Sequence, residues 1–181
     1  MAQVNLIPPY GGKLINLLID TEQLAHEKEY ASKLPDVQIS ERALCDLELL
    51  AIGAFSPLDR FMGQADYQNV LDNMRLANGT LFPMPITLPV KQTENIRIGQ
   101  EIVLRDSKMN PLAIMTIEEV YEWDRDEMAE KVFGKNDPRH PAVAEMASWG
   151  EVNISGPMRV LQLPVHHDFR EIRLTPAETR A

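Results

Sequence analysis

Apolar positions along this chain recur with periods that change from segment to segment, and the changes mark out the elements. KLINLLI at 13–19 is a short apolar run that predicts a strand, entered from a turn carrying Pro8, Pro9, Gly11 and Gly12. Asp20 then reads as an N-cap with Glu22 in the first turn, opening a polar helix to about Leu34 that Pro35 closes. Its apolar residues (Leu24, Tyr30, Leu34) are sparse, so it should lie on the surface. Val37 and Ile39 give a brief strand signal. Ser40 is a second N-cap, after which Leu44, Leu47, Leu50 and Ala51 recur at helical spacing, with Gly53 as the C′ residue. A third helix, Ala65 to Arg75, puts Tyr67, Val70, Leu71 and Met74 on one side and ends at Asn78-Gly79.

From Phe82 to Tyr121 the period shortens. ITLPVK, GQEIVLRD and NPLAIMTIEEVY read as strands, and DSKMNP at 106–111 reads as a hairpin loop between two of them. Short strands at this spacing predict a compact barrel-like sheet. RDEMAEKVF ended by Gly134 is a further helix, and Pro141 to Trp149 another, with Pro in its first turn and Gly150 at its end. VNISGPMRVLQLPV returns to strand patterning, and HHDFREIRLTPAETRA is an exit segment. No internal repeat is visible.

Composition narrows the function classes. With 181 residues, 44% hydrophobic and 25% charged, the chain can bury a core of its own. The net charge of −9, with no two adjacent basic residues, opposes nucleic-acid backbones and anionic membranes. The run LINLLI is too short to span a bilayer, and MAQVNLIPPYGGK has no basic-then-apolar leader pattern. Cys45, the single cysteine, falls in the helical pattern LCDLELL and is expected in the core, which fits a reducing, cytoplasmic setting.

The candidates for chemistry are few. Neither G-x-x-x-x-G-K-[ST] nor G-x-G-x-x-G occurs, and Gly11-Gly12-Lys13 reads as a turn before it reads as an anion nest. His166 and His167 are adjacent, so on an extended chain they point apart and cannot share one metal ion. Asp137, Arg139 and His140 form a cluster without an evident nucleophile, and Asp137 or His140 is expected to cap the next helix. GAFSPLDRFMG at 53–63 differs from these. It places Phe55, Leu58, Phe61 and Met62 in a loop, where they must fold back onto the domain or meet a second domain, and Arg60 and Arg75 could salt-bridge across such an interface.

LELLAIGAFSPLDRFM at 47–62 and MRLANGTLFPMPITLPV at 74–90 closely resemble the N-terminal domain of ATP sulfurylase (sulfate adenylyltransferase). PPYGGKLINLLI, DYQNVLDNMRL, DPRHPAV and GEVNISGPMRVLQLPVHHDFREIRLTPAETR extend the resemblance over nearly the whole chain in order. It implies an α+β fold, a PUA-like β-barrel with peripheral helices over residues 1–165, and residues 166–181 leading into a catalytic domain. In that family the Gln-x-Arg-Asn-Pro and His-x-x-His motifs follow the Thr-Pro-x-Glu-x-Arg segment, which here is TPAETR at 175–180, with Ala181 after it. No catalytic, cofactor-binding or metal-binding residue carries over. Mg-ATP is expected for the full-length family enzyme and none for this chain.

The family reaction joins two anions, ATP and sulfate, to give adenosine 5′-phosphosulfate and pyrophosphate, and it needs a cationic cradle. The resemblance therefore implies a supporting domain whose partner is the catalytic domain, in cis or in trans, within a family that is often homo-oligomeric. It involves neither nucleic acid nor membrane. The rival reading is a stand-alone PUA-like binding or scaffold module without adenylyltransferase activity.

Overall fold

The computed structural model describes residues 6–91, 93 and 96–181. Residues 1–5, part of the stretch read for a leader, and 92, 94 and 95, inside the span read as short strands, lie outside the described residues. In chain order the elements are α1 (Leu24–Ala31), β1 (Asp36–Gln38), α2 (Glu41–Ala51), α3 (Gln64–Asn73), β2 (Leu88–Val90), β3 (Glu101–Arg105) and β4 (Pro111–Thr116). Then come β5 (Glu119–Glu122), α4 (Arg125–Phe133), α5 (Pro141–Met146), β6 (Val152–Ser155), β7 (Met158–Val160), a 3-10 turn (Arg170–Ile172) and α6 (Pro176–Arg180).

The strands make two sheets, ordered β1-β3-β4-β7 and β2-β6-β5. β1 runs parallel to β3, and every other pairing is antiparallel. The sheets meet at a corner. β4 passes into β5 through Ile117 and Glu118, and β6 into β7 through Gly156 and Pro157, so both chains change sheet at the same place. Two backbone bonds hold the corner, Thr116 N–H to Pro157 O at 3.1 Å and Glu118 N–H to Ser155 O at 2.9 Å. Glycine is required at 156 because a Cβ there would lie 1.8 Å from Thr116 O.

Alternation along the strands fills two apolar layers. Ile102, Leu104, Ala113 and Met115 face the main core together with Leu47, Leu50, Phe61 and Ile154. Val103 and Ile114 point to the other face, where Ala31 of α1 and Leu161 cover them. α1 is also tied down by polar bonds: Arg159 bridges Glu27 and Glu101, each at 3.1 Å, and Tyr30 Oη donates to Glu101.

The expected ends of α2 and the expected C-terminal end of α4 are present, and Asp124 adds a cap to α4. Ser40 Oγ accepts from Ala43 N–H, and Asp124 accepts from the amides of Asp126 and Glu127. Gly53 and Gly134 take positive φ after α2 and α4.

Three expectations fail locally. The run 13–19 forms no strand: one isolated parallel bridge joins Leu18 to Val160, because the segment crosses between Ala51 and Val160 and finds no continuous partner. The helix expected from Asp20 starts at Leu24, since Asp20 O closes a turn with Gln23 N–H. Cys45 is exposed, as two positions along a helix turn the chain about 200° away from the buried Ala43 and Leu47.

Candidate interface site

The loop that follows α2 is folded back by its own polar atoms. Ser56 Oγ donates to Gly53 O at 2.6 Å and accepts from Ile15 N–H at 3.0 Å, which binds the N-terminal arm to the loop. Gly53 must be glycine for this, because a Cβ would sit 2.2 Å from Ile15 O. The arm closes over the loop at a second point, where Gly11 lies against Pro57, and Tyr10 Oη reaches Leu81 O at 2.7 Å.

Of the residues expected at an interface, Leu58 and Phe61 lie inside the domain's own core, with Phe61 0% exposed. They take the fold-back role. Phe55 is half-buried and packs edge-to-face on Phe82, with ring centroids 6.3 Å apart. The Arg60 guanidinium pairs with Asp59 at 3.0 Å and with Glu118 at 2.6 Å, inside this chain. Partial burial works against its charge, but the two carboxylates more than offset that and hold its pKa above the ordinary arginine value. Arg75 is exposed and donates to Gly79 O at 3.0 Å, bracing the turn between Arg75 and Leu81. Phe55, Arg60 and Arg75 therefore reach the surface, while Leu58 and Phe61 do not.

The other candidates carry local structural work. Gly12 N–H closes a turn on Pro9 O at 2.8 Å. Arg139 forks onto Asp137 at 2.7–3.1 Å, and that bond depresses the Asp137 carboxyl below its usual range. His140 stands at the N-cap of α5 without a side-chain cap bond and stacks its ring on Phe133, centroids 4.6 Å apart. Asp137 is not the cap either; its backbone oxygen accepts from His140 N–H. His166 Nε2 lies 2.8 and 2.9 Å from the two Glu48 carboxylate oxygens. Among the described residues no group of three or more His, Cys, Asp or Glu is arranged to hold a metal ion.

One hollow of about 650 Å³ is an open depression lined by Glu122, Asp124, Asp126 and Glu151 against one Arg125, a field that repels triphosphate.

The sequence reading missed the exit segment as a surface. Val165, Phe169, Ile172 and Leu174 all stand exposed there, as do Leu6 and Ile7 on the arm. The signal was available: Phe169, Ile172 and Leu174 lie in a stretch assigned to no packed element, and Val165 directly precedes it.

The model of the PUA-like domain matches residues 7–163. The chain belongs to the PUA-like domain family. Sulfate adenylyltransferase of Mycosarcoma maydis is 44% identical over 179 residues, covering 95% of this PUA-like chain and 31% of the relative. Sulfate adenylyltransferase of Symbiobacterium thermophilum is 42% identical over 177 residues, covering 97% of this chain and 45% of the relative. The PUA-like chain thus spans less than half the length of these curated relatives. A solved structure, the hexameric APS kinase from Thiobacillus denitrificans, superposes with a TM-score of 0.73 at 33% identity, covering 97% of this chain and 31% of that one. Among the described residues no helix is long and apolar enough to cross a membrane.

Proposed function

We propose that this chain is the N-terminal, non-catalytic domain of an ATP sulfurylase, supporting and orienting a catalytic domain that transfers the adenylyl group of ATP to sulfate. One observation carries the reading: almost all of the chain aligns with sulfate adenylyltransferases, yet it accounts for only 31–45% of their length. The acid-lined hollow beside α4 supports it, because binding Mg-ATP and sulfate calls for cationic groups. In this reading Mg-ATP is held by the catalytic domain, the PUA-like body runs to about residue 165, and residues 166–181 lead out of it. Assembly into an oligomer and a cytoplasmic setting belong to the same reading. They draw on the hexameric structural neighbour and on a single unpaired cysteine. The stand-alone module is not favoured, since the relatives are enzymes and the chain carries −9.

The test is a replacement. The matching segment of the Symbiobacterium thermophilum enzyme is exchanged for these 181 residues, and pyrophosphate release with Mg-ATP and sulfate is followed. Turnover by the chimera and none by the chain alone is expected. Turnover by the chain alone, or an inactive chimera that is folded, would overturn the proposal.

A further inference from the structure

Fourteen large hydrophobic residues stand exposed on the described surface, and their distribution is uneven. Three lie on the N-terminal arm at 6–10, three on the 74–84 hairpin and four at 165–174, on the exit segment and the residue that leads into it. Four of the five most exposed belong to the arm or the exit segment: Ile7 at 80%, Val165 at 78%, Ile172 at 75% and Phe169 at 69%. The fifth, Ile98, stands apart in a turn before β3. Scattered apolar residues are normal on a protein surface, whereas a concentration on touching segments is not.

The three segments do touch. The arm bonds to the hairpin through Tyr10 Oη and Leu81 O, and Arg180 of α6 donates to Ile7 O. The exit segment is also fastened underneath. His166 is held by both carboxylate oxygens of Glu48 on α2, and Arg173 donates to the backbone oxygen and the carboxylate of Asp168. Thr175 and Glu178 complete a capping box at the start of α6. His166, Asp168, Arg173, Thr175 and Glu178 are thus paired within the chain, and the segment's large apolar side chains stand exposed.

We propose that the arm, the hairpin and the exit segment form one preorganised docking face, and that its occupant is the catalytic domain of the same polypeptide. This rests on the reading under Proposed function and adds the surface through which support is exerted. Two observations select that occupant. More than half of each relative's length lies outside the matched region, so a large body is available to cover the face. α6, which ends the chain at Ala181, is itself bonded to the arm through Arg180, so polypeptide continuing from it emerges on this face. The loop residues Leu58 and Phe61 take no part, because the core has consumed them.

Amide hydrogen exchange on the isolated chain and on the chimera tests the face directly. Residues 6–10 and 165–174 are expected to exchange at least about ten-fold more slowly in the chimera, while 97–99 and 107–110 exchange alike in both. In the chimera, Ile7→Asp, Phe169→Asp and Ile172→Asp should each abolish that protection, and Ile98→Asp should leave it intact. Equal exchange at the face in a chimera that turns over would overturn the docking proposal and leave the proposed function standing. The docking proposal also fails if the isolated chain forms a concentration-dependent dimer with the same protection, since a second copy would then be the occupant. An inactive chimera bears on the proposed function alone, and the exchange comparison still decides the face.

Discussion

Gly156→Ala is the sharpest test of how the two sheets are joined. The added methyl would meet Thr116 O at 1.8 Å and Glu118 N at 3.0 Å, both backbone atoms that cannot rotate aside. Restoring an ordinary contact of 3.4 Å means moving the strands apart by 3.4 − 1.8 = 1.6 Å. A shift of that size breaks the two bonds across the corner, Thr116 N–H to Pro157 O and Glu118 N–H to Ser155 O. Each lost bond costs about 1 kcal/mol net, and overpacking a tight site adds about 1–3 kcal/mol. Against this, replacing glycine stabilises by restricting the unfolded chain, about 0.4–1 kcal/mol. The net loss is about 3 kcal/mol, and at about 2–4 °C per kcal/mol for a domain of this size the melting temperature should fall by about 6–12 °C. Gly79→Ala is the control: its φ of +88° carries the backbone penalty, but nothing lies within 4 Å of the added carbon. It should cost about 1 kcal/mol. Thermal unfolding followed by circular dichroism separates the two variants. A Gly156→Ala protein that melts with the wild type would refute the corner described here.

Other expectations are more local. Ser40→Ala removes the cap on Ala43 N–H and should cost about 1 kcal/mol in chemical denaturation, with an unchanged denaturant slope. The Cys45 thiol is raised above its ordinary pKa by partial burial and then by Asp46, Glu48 and Glu41. Its reaction with an aromatic disulfide in the native protein should therefore be slow at neutral pH and keep accelerating through and beyond the ordinary thiol range; a plateau below that range would contradict the burial and charge described. Glu101 is depressed, first by the Tyr30 hydroxyl and then by Arg159, in spite of its partial burial. A depressed carboxylate contributes stability above its unfolded value, near about 4.3, and loses it as pH falls through the lower folded value. Glu101→Gln should flatten the acid limb of the stability profile, and an unaltered acid limb would show that the α1 network contributes nothing there.

Much of this fold was legible where local chemistry decides it. Ser40 and Gly53 bound α2, and Gly134 ends α4, because caps act within a few residues and leave their signature in the chain. Illegible features depend on distant partners. The run 13–19 has the composition of a strand, but pairing needs a neighbour of matching length, and Val160 supplies a single bridge. Cys45 followed the apolar pattern of its neighbours, yet the helical period turns it to the solvent side. The stretch 53–63 is crowded with apolar side chains. Whether Leu58 and Phe61 faced inward depended on the loop being closed by Ser56 and the arm, contacts 41 residues apart in the chain. The exit segment escaped notice for the opposite reason: its apolar residues follow no period, and only burial distinguishes packed from presented.

The central proposal is that the groups that hold nucleotide and oxyanion lie outside these 181 residues, and titration calorimetry tests it most directly. Mg-ATP, with and without sulfate, is titrated into the folded 181-residue chain at low ionic strength, where weak electrostatic binding is easiest to see. The account predicts heats indistinguishable from dilution. Saturable binding at one nucleotide per chain would contradict it.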